Sequence, residues 1–275
     1  MYSHERKAKI LELLEQNSSV RVNELTDKLG TSKETIRRDL RELEHNGVLT
    51  RVHGGATLNL VGTASSIPVH ENSLTGENPF VVRQVQHVNE KKVICKKAVS
   101  YIKNNDIIFM DSSSTTLFLL QFLPKDISLT IITNSIKVLL DATNCNNPNL
   151  TLILLSGFYD PNNYSLFGSR TVQSAEEFYP NKSFISCTGI SLQHHLTGIN
   201  LHEVDTKRAI IEKSNEVFLL ADHSKFETRG PFHLTNFNSI SHIITDAYEH
   251  SSVVNKSLEI IRSENSIEII FGHKE

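Results

Sequence analysis

The stretch of this 275-residue chain richest in potential chemistry is Asp111-Ser112-Ser113-Ser114-Thr115-Thr116, a carboxylate followed by five hydroxyl residues. Hydroxyls are poor acids and bases near neutral pH, but they are ready hydrogen-bond donors. Placed at the start of a helix, they converge with unpaired backbone N–H groups and the positive end of the helix dipole, which is the chemistry of oxyanion binding. The plainer reading, a Ser or Thr helix cap, accounts for one hydroxyl. Five in succession leave an anionic ligand such as a sugar phosphate standing beside it.

A second set lies near the start of the chain. Lys33, Arg37 and Arg41 stand four apart, so they share one helix face, with Thr35 and Arg38 flanking the row. Guanidinium groups so arranged can donate bidentate hydrogen bonds to guanine edges or pair with phosphates. The plainer alternative is a solvated face laced by pairs such as Glu34 with Arg38. A third set, Glu203, Lys207 and Arg208, has the spacing of a surface ion pair, and spacing alone favours that reading over a place on a crevice rim. Asp222 and Lys225 follow an apolar run and complete the candidates.

These residues need elements to hold them. Ile10, Leu11 and Leu14 recur at helical spacing and predict a helix over residues 3–16. Val20 to Val22 predict a short strand, and Asn23 a cap for a second helix carrying Leu25 and Leu29 and stopped by Gly30. Thr31 or Ser32 caps a third helix running to about Asn46, with Glu34 as the far member of a capping box; Ile36, Leu40 and Leu43 form its buried stripe and Gly47 ends it. Val48 to Val52 and the turn signal His53-Gly54-Gly55-Ala56 predict a wing, with Arg51 and His53 near a nucleic-acid backbone. Two helices about a tight Gly-containing turn, the second basic on its exposed face, are what insertion into a major groove requires.

Residues 58–78 are rich in Ser, Thr, Gly and Asn and are read as a linker between residues 1–57 and a second domain, 79–275. There, β-prone runs alternate with helical stretches, the pattern of an α/β fold with an open, mostly parallel sheet. Ile107–Met110 leads into the hydroxyl run and then an apolar helix, Leu117 to Leu123. Strands at 130–132, 152–155, 184–186 and 217–221 end in Asn134, Ser156, the segment before Gly189, and Asp222 to Lys225. Such strand tips converge on one crevice, where open α/β sheets bind ligands.

Composition sets the bounds. The formal charge is −3, but residues 1–57 hold ten Lys/Arg against nine Asp/Glu, which leaves eighteen against twenty-two for the rest. No apolar run approaches the ~20 residues of a membrane span, and the opening residues lack a signal peptide's apolar stretch, so a cytoplasmic location with no membrane partner is expected. Cys95, Cys145 and Cys187 are widely spaced and form no CxxC pair, so free thiols are expected.

The residues SKETIRRDLRELEHNGVLTRVHGGA closely resemble the N-terminal signature of the DeoR family of bacterial transcriptional regulators. The segments MDSSSTT, TIITNS, SGFYDP, GISLQHHLTGI, HEVDTKRAII and LLADHSKF follow in the order of that family's effector-binding domain, which is similar to ribose-5-phosphate isomerase. The resemblance implies a small winged helix-turn-helix joined to a larger Rossmann-like α/β domain. It also implies double-stranded operator DNA as a partner, a phosphorylated sugar as effector, no cofactor, and a homo-oligomer, dimer or tetramer, that represses carbohydrate genes. DNA contacts are assigned on it to Ser32, Lys33, Thr35, Arg37, Arg38, Arg41, Arg51 and His53. Effector contacts are assigned to Asp111, Ser113, Ser114, Thr115, Thr116, Asn134, Gly189, Glu203, Lys207, Asp222 and Lys225. The chain departs from the family pattern at Ser113 and Ser156, where glycines are usual.

A sugar-phosphate isomerase fused to a DNA-binding domain is the alternative. Isomerisation needs a placed general base. The isomerase carries it on an acidic segment that here reads Ser186-Cys187-Thr188-Gly189-Ile190-Ser191, without a carboxylate, so no catalytic residue is expected. Asp111 and Asp222 are read as hydrogen-bond partners of the ligand. His194, His195, His202, Glu203 and Asp205 match no metal-ligand motif, so no metal is expected.

Overall fold

The computed structural model describes residues 3–17, 19–45, 49–58, 80–246, 252–265 and 267–272. Its internal contacts divide the chain into two compact units, Met1–Gln86 and His87–Glu275.

The first unit runs α1 (Ser3–Asn17), β1 (Ser19–Arg21), α2 (Val22–Leu29), α3 (Lys33–His45), β2 (Leu49–Val52), β3 (Gly55–Leu58) and the short α4 (Phe80–Val85). Each of the first three helices buries one stripe: Ile10, Leu11 and Leu14; Val22, Leu25 and Leu29; Ile36, Leu40 and Leu43. Val20, Leu49 and Ala56 close the core from an antiparallel sheet ordered β1-β3-β2. A two-residue turn, His53–Gly54, joins β2 to β3, with Gly54 at φ 82°. Gly55 allows β3 to lie against β1, since a Cβ there would sit 2.0 Å from the Val20 carbonyl oxygen.

Several boundaries differ from the sequence expectation. Val22 opens α2 instead of ending β1, because its N–H bonds to the Gly54 carbonyl at 2.8 Å; the cap position therefore falls on Arg21 and not on Asn23. Gly30, at φ 59°, stops α2 as expected. Ser32 caps α3, its Oγ accepting from the Thr35 N–H at 3.2 Å, while the Thr31 N–H goes to the Thr26 carbonyl and Glu34 pairs with arginines. The capping box is thus replaced by charge pairing. Gly47 and nearly all of the expected linker lie outside the described residues. Val82 of α4 packs in the first core, so the division falls after Gln86 and not at 79.

The second unit contains α5 (Val88–Val99), β4 (Ile107–Met110), β5 (Leu129–Thr133), α6 (Ile136–Thr143), β6 (Leu150–Leu154), β7 (Phe158–Asp160), β8 (Ser165–Phe167), α7 (Ser169–Glu176) and β9 (Lys182–Ile185). It continues with β10 (Gly189–Ser191), β11 (His195–Gly198), α8 (Leu201–Lys213), β12 (Glu216–Leu220), β13 (Phe232–Thr235), β14 (His242–Thr245), α9 (Ser252–Asn265) and β15 (Glu268–Phe271). Seven strands form one sheet ordered β15-β14-β12-β9-β4-β5-β6, every pair parallel. Parallel strands covered on both faces read as continuous apolar runs, and Ile108, Phe109 and Met110 are fully buried. β10, β11 and β13 form a separate small sheet.

The chain starts the large sheet at β4, proceeds outward through β5 and β6, and then returns to β9 to build the other half. The switch point therefore lies between β4 and β9. The expected α-helix after the hydroxyl run is instead a 3-10 helix, Thr116–Gln121, in which Thr116 to Leu120 are all buried.

One buried ion pair organises each unit. In the first, Arg6 of α1 donates to Asp39 of α3 through Nε at 2.5 Å and Nη2 at 3.1 Å. In the second, Asp111 at the tip of β4 faces Lys207 of α8 at 3.0 Å. Asp111 Oδ2 also accepts from the Ser186 N–H at 2.8 Å, and its Oδ1 accepts from the Ser113 N–H and the Thr116 hydroxyl. Lys207 in turn donates to the Ser186 carbonyl at 2.9 Å. Burial alone would raise the Asp111 carboxyl, but Lys207 and these donors together hold it below the ordinary carboxylate value. Burial would likewise depress Lys207, yet Asp111 and Glu203 raise it.

Two stability predictions follow. Arg6→Met should destabilise the protein at the low end of the ~3–5 kcal/mol for breaking a buried pair, since this pair lies just beneath the surface of a small unit. A change below ~1 kcal/mol in urea denaturation would show that the pair does not bind α1 to α3. Lys207→Met should cost about 3–5 kcal/mol at pH 7. The wild-type pair stabilises the fold above the ordinary carboxyl value of 3.8, and that contribution is lost as pH falls through the lower folded value. In the variant, the unpaired Asp111 is protonated more readily in the folded state. The gap between variant and wild type should therefore narrow from pH 7 to pH 4; an unchanged gap would contradict the pairing.

Candidate functional site

In the first unit, α3 turns Ile36, Asp39, Leu40 and Leu43 inward, and Lys33, Arg37, Arg38 and Arg41 remain exposed. Ser32 and Thr35 share a hydroxyl contact of 2.9 Å at the exposed start of the helix. Lys33, Arg37, Arg51 and His53 line a common hollow of about 530 Å³ between α3 and the β2–β3 hairpin, floored by Leu40 and Gly55. The helix and the wing thus present one concave basic surface. Glu34 pairs with Arg41 at 3.3 Å and Arg37 at 3.7 Å, and Glu44 holds Arg51 at 2.6 Å. The arginines are arranged by carboxylates beside them, although the Glu34–Arg38 pair considered from the sequence is not the one formed.

In the second unit, the expected effector residues fall into two groups. Asp111, Thr116 and Ser113 bond to each other: the Thr116 hydroxyl donates to Asp111 Oδ1 at 2.7 Å, and Ser113 Oγ accepts from the Thr116 N–H at 3.2 Å. Asp111 and Thr116 are fully buried and hold the loop from behind. The Asp111 oxygens accept from four donors within the protein. Ser113 has no positive φ, so its loop does not need the glycine usual there. Glu203 and Lys207, read from spacing as a surface pair, are both buried, with 3.9 Å between them, because that face of α8 is covered and Lys207 reaches the Ser186 carbonyl at the end of β9. Gly189 is needed for packing, since a Cβ there would meet the Thr228 carbonyl oxygen at 2.4 Å.

The second group, Ser114, Thr115, Asn134 and Asp222, is also buried and lies at the ends of β4, β5 and β12. Asn134 donates to the Leu166 carbonyl at 3.2 Å and stands 3.5 Å from Ser112 Oγ. Ser114 Oγ accepts from Lys91 Nζ at 3.2 Å, and the Thr115 carbonyl accepts from Cys95 at 3.1 Å. Asp222 lies at the tip of β12, where its Oδ1 accepts from the Ser224 N–H at 3.0 Å and from the Ser224 hydroxyl. Burial would raise its carboxyl, but Lys225, the Ser224 hydrogen bond, His87 and Lys91 hold it below the ordinary range.

Lys91 is a candidate site residue that the sequence reading missed. It sits on α5, twenty residues before the hydroxyl run, and is buried although it is a lysine. An ammonium burying itself beside a hydroxyl loop is unusual enough to mark a site. Only an unpolar face at Ile94, Cys95 and Ala98 hinted that α5 packs under that loop. Cys95 and Cys187 are buried free thiols, the latter pushed up to about 12 by burial. They are packing residues.

The family model for the DeoR-like helix-turn-helix domain matches residues 6–60, and that for the DeoR C terminal sensor domain matches residues 86–247. The chain is 35% identical to the HTH-type transcriptional regulator YulB of Bacillus subtilis, with 88% of each chain covered. It is 30% identical to the glycerol-3-phosphate regulon repressor of Escherichia coli, over 92% of this chain and 95% of that one. Among solved structures, a ribose 5-phosphate isomerase A from Neisseria gonorrhoeae aligns with a TM-score of 0.36 and 16% identity over 50% of this chain and 53% of the other. Matched in both units and along nearly its full length, this chain belongs to the DeoR family of helix-turn-helix transcriptional regulators.

Proposed function

We propose that this regulator represses carbohydrate genes, gripping operator DNA with α3 and the β2–β3 wing, and that a phosphorylated sugar bound at the ends of β4, β5 and β12 changes that grip. The observation that carries the effector reading is the buried Lys91 ammonium on Ser114, after β4, with Lys225 acting on Asp222 at the tip of β12, two strands away. Two cations and a row of hydroxyls meet a phosphate and its sugar with complementary groups. The repressor of a glycerol-3-phosphate regulon is a relative, and its name ties the family to a phosphorylated metabolite.

On the DNA side, Lys33, Arg37, Arg38, Arg41, Arg51 and His53 are the contacts, with Ser32 and Thr35 at the helix start suited to a phosphate. Arg37 reads base edges, and Arg51 and His53 meet the backbone. A homo-oligomer places two recognition helices on two half-sites, and the exposed Phe158 and Tyr159 of the β7–β8 hairpin offer apolar surface for it. The cytoplasm is where both ligands occur.

The isomerase alternative has no support in this chain. Its relatives are regulators, and the segment Ser186–Ser191 lacks a carboxylate base.

Arg37→Ala should weaken binding to DNA upstream of the protein's own gene by about 1–3 kcal/mol, roughly fivefold to 150-fold, in fluorescence anisotropy. Lys33→Ala should reduce the slope of log affinity against log salt by about 1. Wild-type affinity and slope in both would remove α3 from the interface. Lys91→Ala should leave operator affinity unchanged and abolish the thermal shift produced by the best of a panel of sugar phosphates. A retained shift would place the phosphate elsewhere.

A further inference from the structure

We propose that His87, Asp222 and His223 form a binding site for a divalent transition-metal ion of the zinc class. Their ligand atoms, one imidazole nitrogen from each histidine and a carboxylate oxygen, all lie within 4.8 Å of one another. His87 stands at the N-cap position of α5, and Asp222 and His223 lie at the tip of β12, so two elements far apart in sequence supply the set. No local motif spans that separation, and the histidines considered from the sequence are different ones.

The donor chemistry is that of a borderline ion. Two imidazoles and one carboxylate are a common protein set for zinc and its neighbours, whereas magnesium and calcium take oxygen ligands. Two features prepare these side chains for such a role. Asp222 is fully buried; its Oδ1 is engaged by Ser224, whereas its Oδ2 has no hydrogen-bond partner among the described residues. A buried carboxylate oxygen left unsatisfied costs free energy that a cation would recover. His223 is oriented by Asp246, whose Oδ2 lies 2.9 Å from Nδ1 and whose Oδ1 accepts the His223 backbone N–H at 2.7 Å. A carboxylate can only accept there, so Nδ1 carries the proton and Nε2 carries the lone pair, which is the carboxylate–histidine arrangement that supports metal ligands.

His87 completes the set from the solvent side. It is exposed, makes no side-chain capping bond, and holds its ring edge-on to His223 at 5.2 Å between centroids. Ligand atoms around one tetrahedral zinc ion stand roughly 3.3 Å apart, so modest rotation of this exposed side chain closes the site. Lys91 and Lys225 act on the same carboxylate and oppose a dication, while Asp222 and Asp246 favour it. The ion's remaining positions are then open to water or to ligand oxygens in the crevice.

The test uses full-length protein freed of metal by chelation and zinc chloride alone, without any sugar phosphate, so it does not depend on the effector reading. Isothermal titration should show one ion bound per chain. His87→Gly removes the imidazole and suits the backbone φ of 52° at that position, so the fold should persist, as circular dichroism would show. It should lower zinc affinity at least about tenfold, and Asp246→Asn should lower it by about ten- to a hundredfold through the orientation of His223. Substituting cobalt should give visible absorption bands that His87→Gly abolishes. Absence of saturable zinc binding by the wild-type protein, or equal affinity in a folded His87→Gly, would overturn the site.

Discussion

The sensor unit depends on one fully buried carboxylate. Asp111 closes the end of β4, and in a parallel sheet the strand ends beside the switch point are where the backbone runs out of partners. Its Oδ2 takes the Ser186 N–H from the end of β9, and Lys207 takes the Ser186 carbonyl, so the two halves of the sheet are joined at their tips by one ion pair. Its Oδ1 simultaneously fixes Ser113 and Thr116. The rest of the hydroxyl run, Ser114 included, follows from a loop whose first turn this buried charge holds. The arrangement is costly to desolvate, and it is sustained because both Asp111 oxygens and the Lys207 ammonium find hydrogen-bond partners nearby.

The same saturation bears on chemistry. A general base needs a carboxylate with an open lone pair and a proton affinity near the working pH. Asp111 has neither, being occupied by four donors and held low. Asp222 has an unbonded oxygen but is also held low by the cations around it. The crevice is therefore built to hold charge in place and is poorly suited to moving protons, which fits a sensor in a family of regulators.

Much of this was legible in the sequence where local rules decide. Helical spacing gave the buried stripes of α1 to α3, a glycine at φ 59° stopped α2, and β-prone runs marked β4, β5, β9 and β12 within one or two residues. The basic row on α3 followed from spacing of four alone. What stayed hidden was set by contacts distant in sequence. Glu203 and Lys207 have the same spacing as a surface pair, and only the covering of that face of α8 makes them buried. Lys91 lies on an ordinary amphipathic helix, and its burial is decided by the loop twenty residues later. Asn23 lost the cap because the Val22 N–H found Gly54, a partner thirty-two residues away.

The DNA-binding unit applies the opposite electrostatic rule. Its only deeply paired arginine among the described residues, Arg6, serves the fold, whereas Arg37, Arg41 and Arg51 are held by exposed glutamates. Exposed pairs of this kind are worth at most ~1 kcal/mol and are screened by salt, so phosphate can displace them at little cost. They nevertheless limit where the side chains point before DNA arrives, which lowers the ordering entropy that binding must overcome. A regulator whose grip is to be altered by a small ligand needs such a modest balance. Coupling between two sites is typically about 1–3 kcal/mol, enough to shift a reversible grip and too little to undo a surface locked by buried ion pairs.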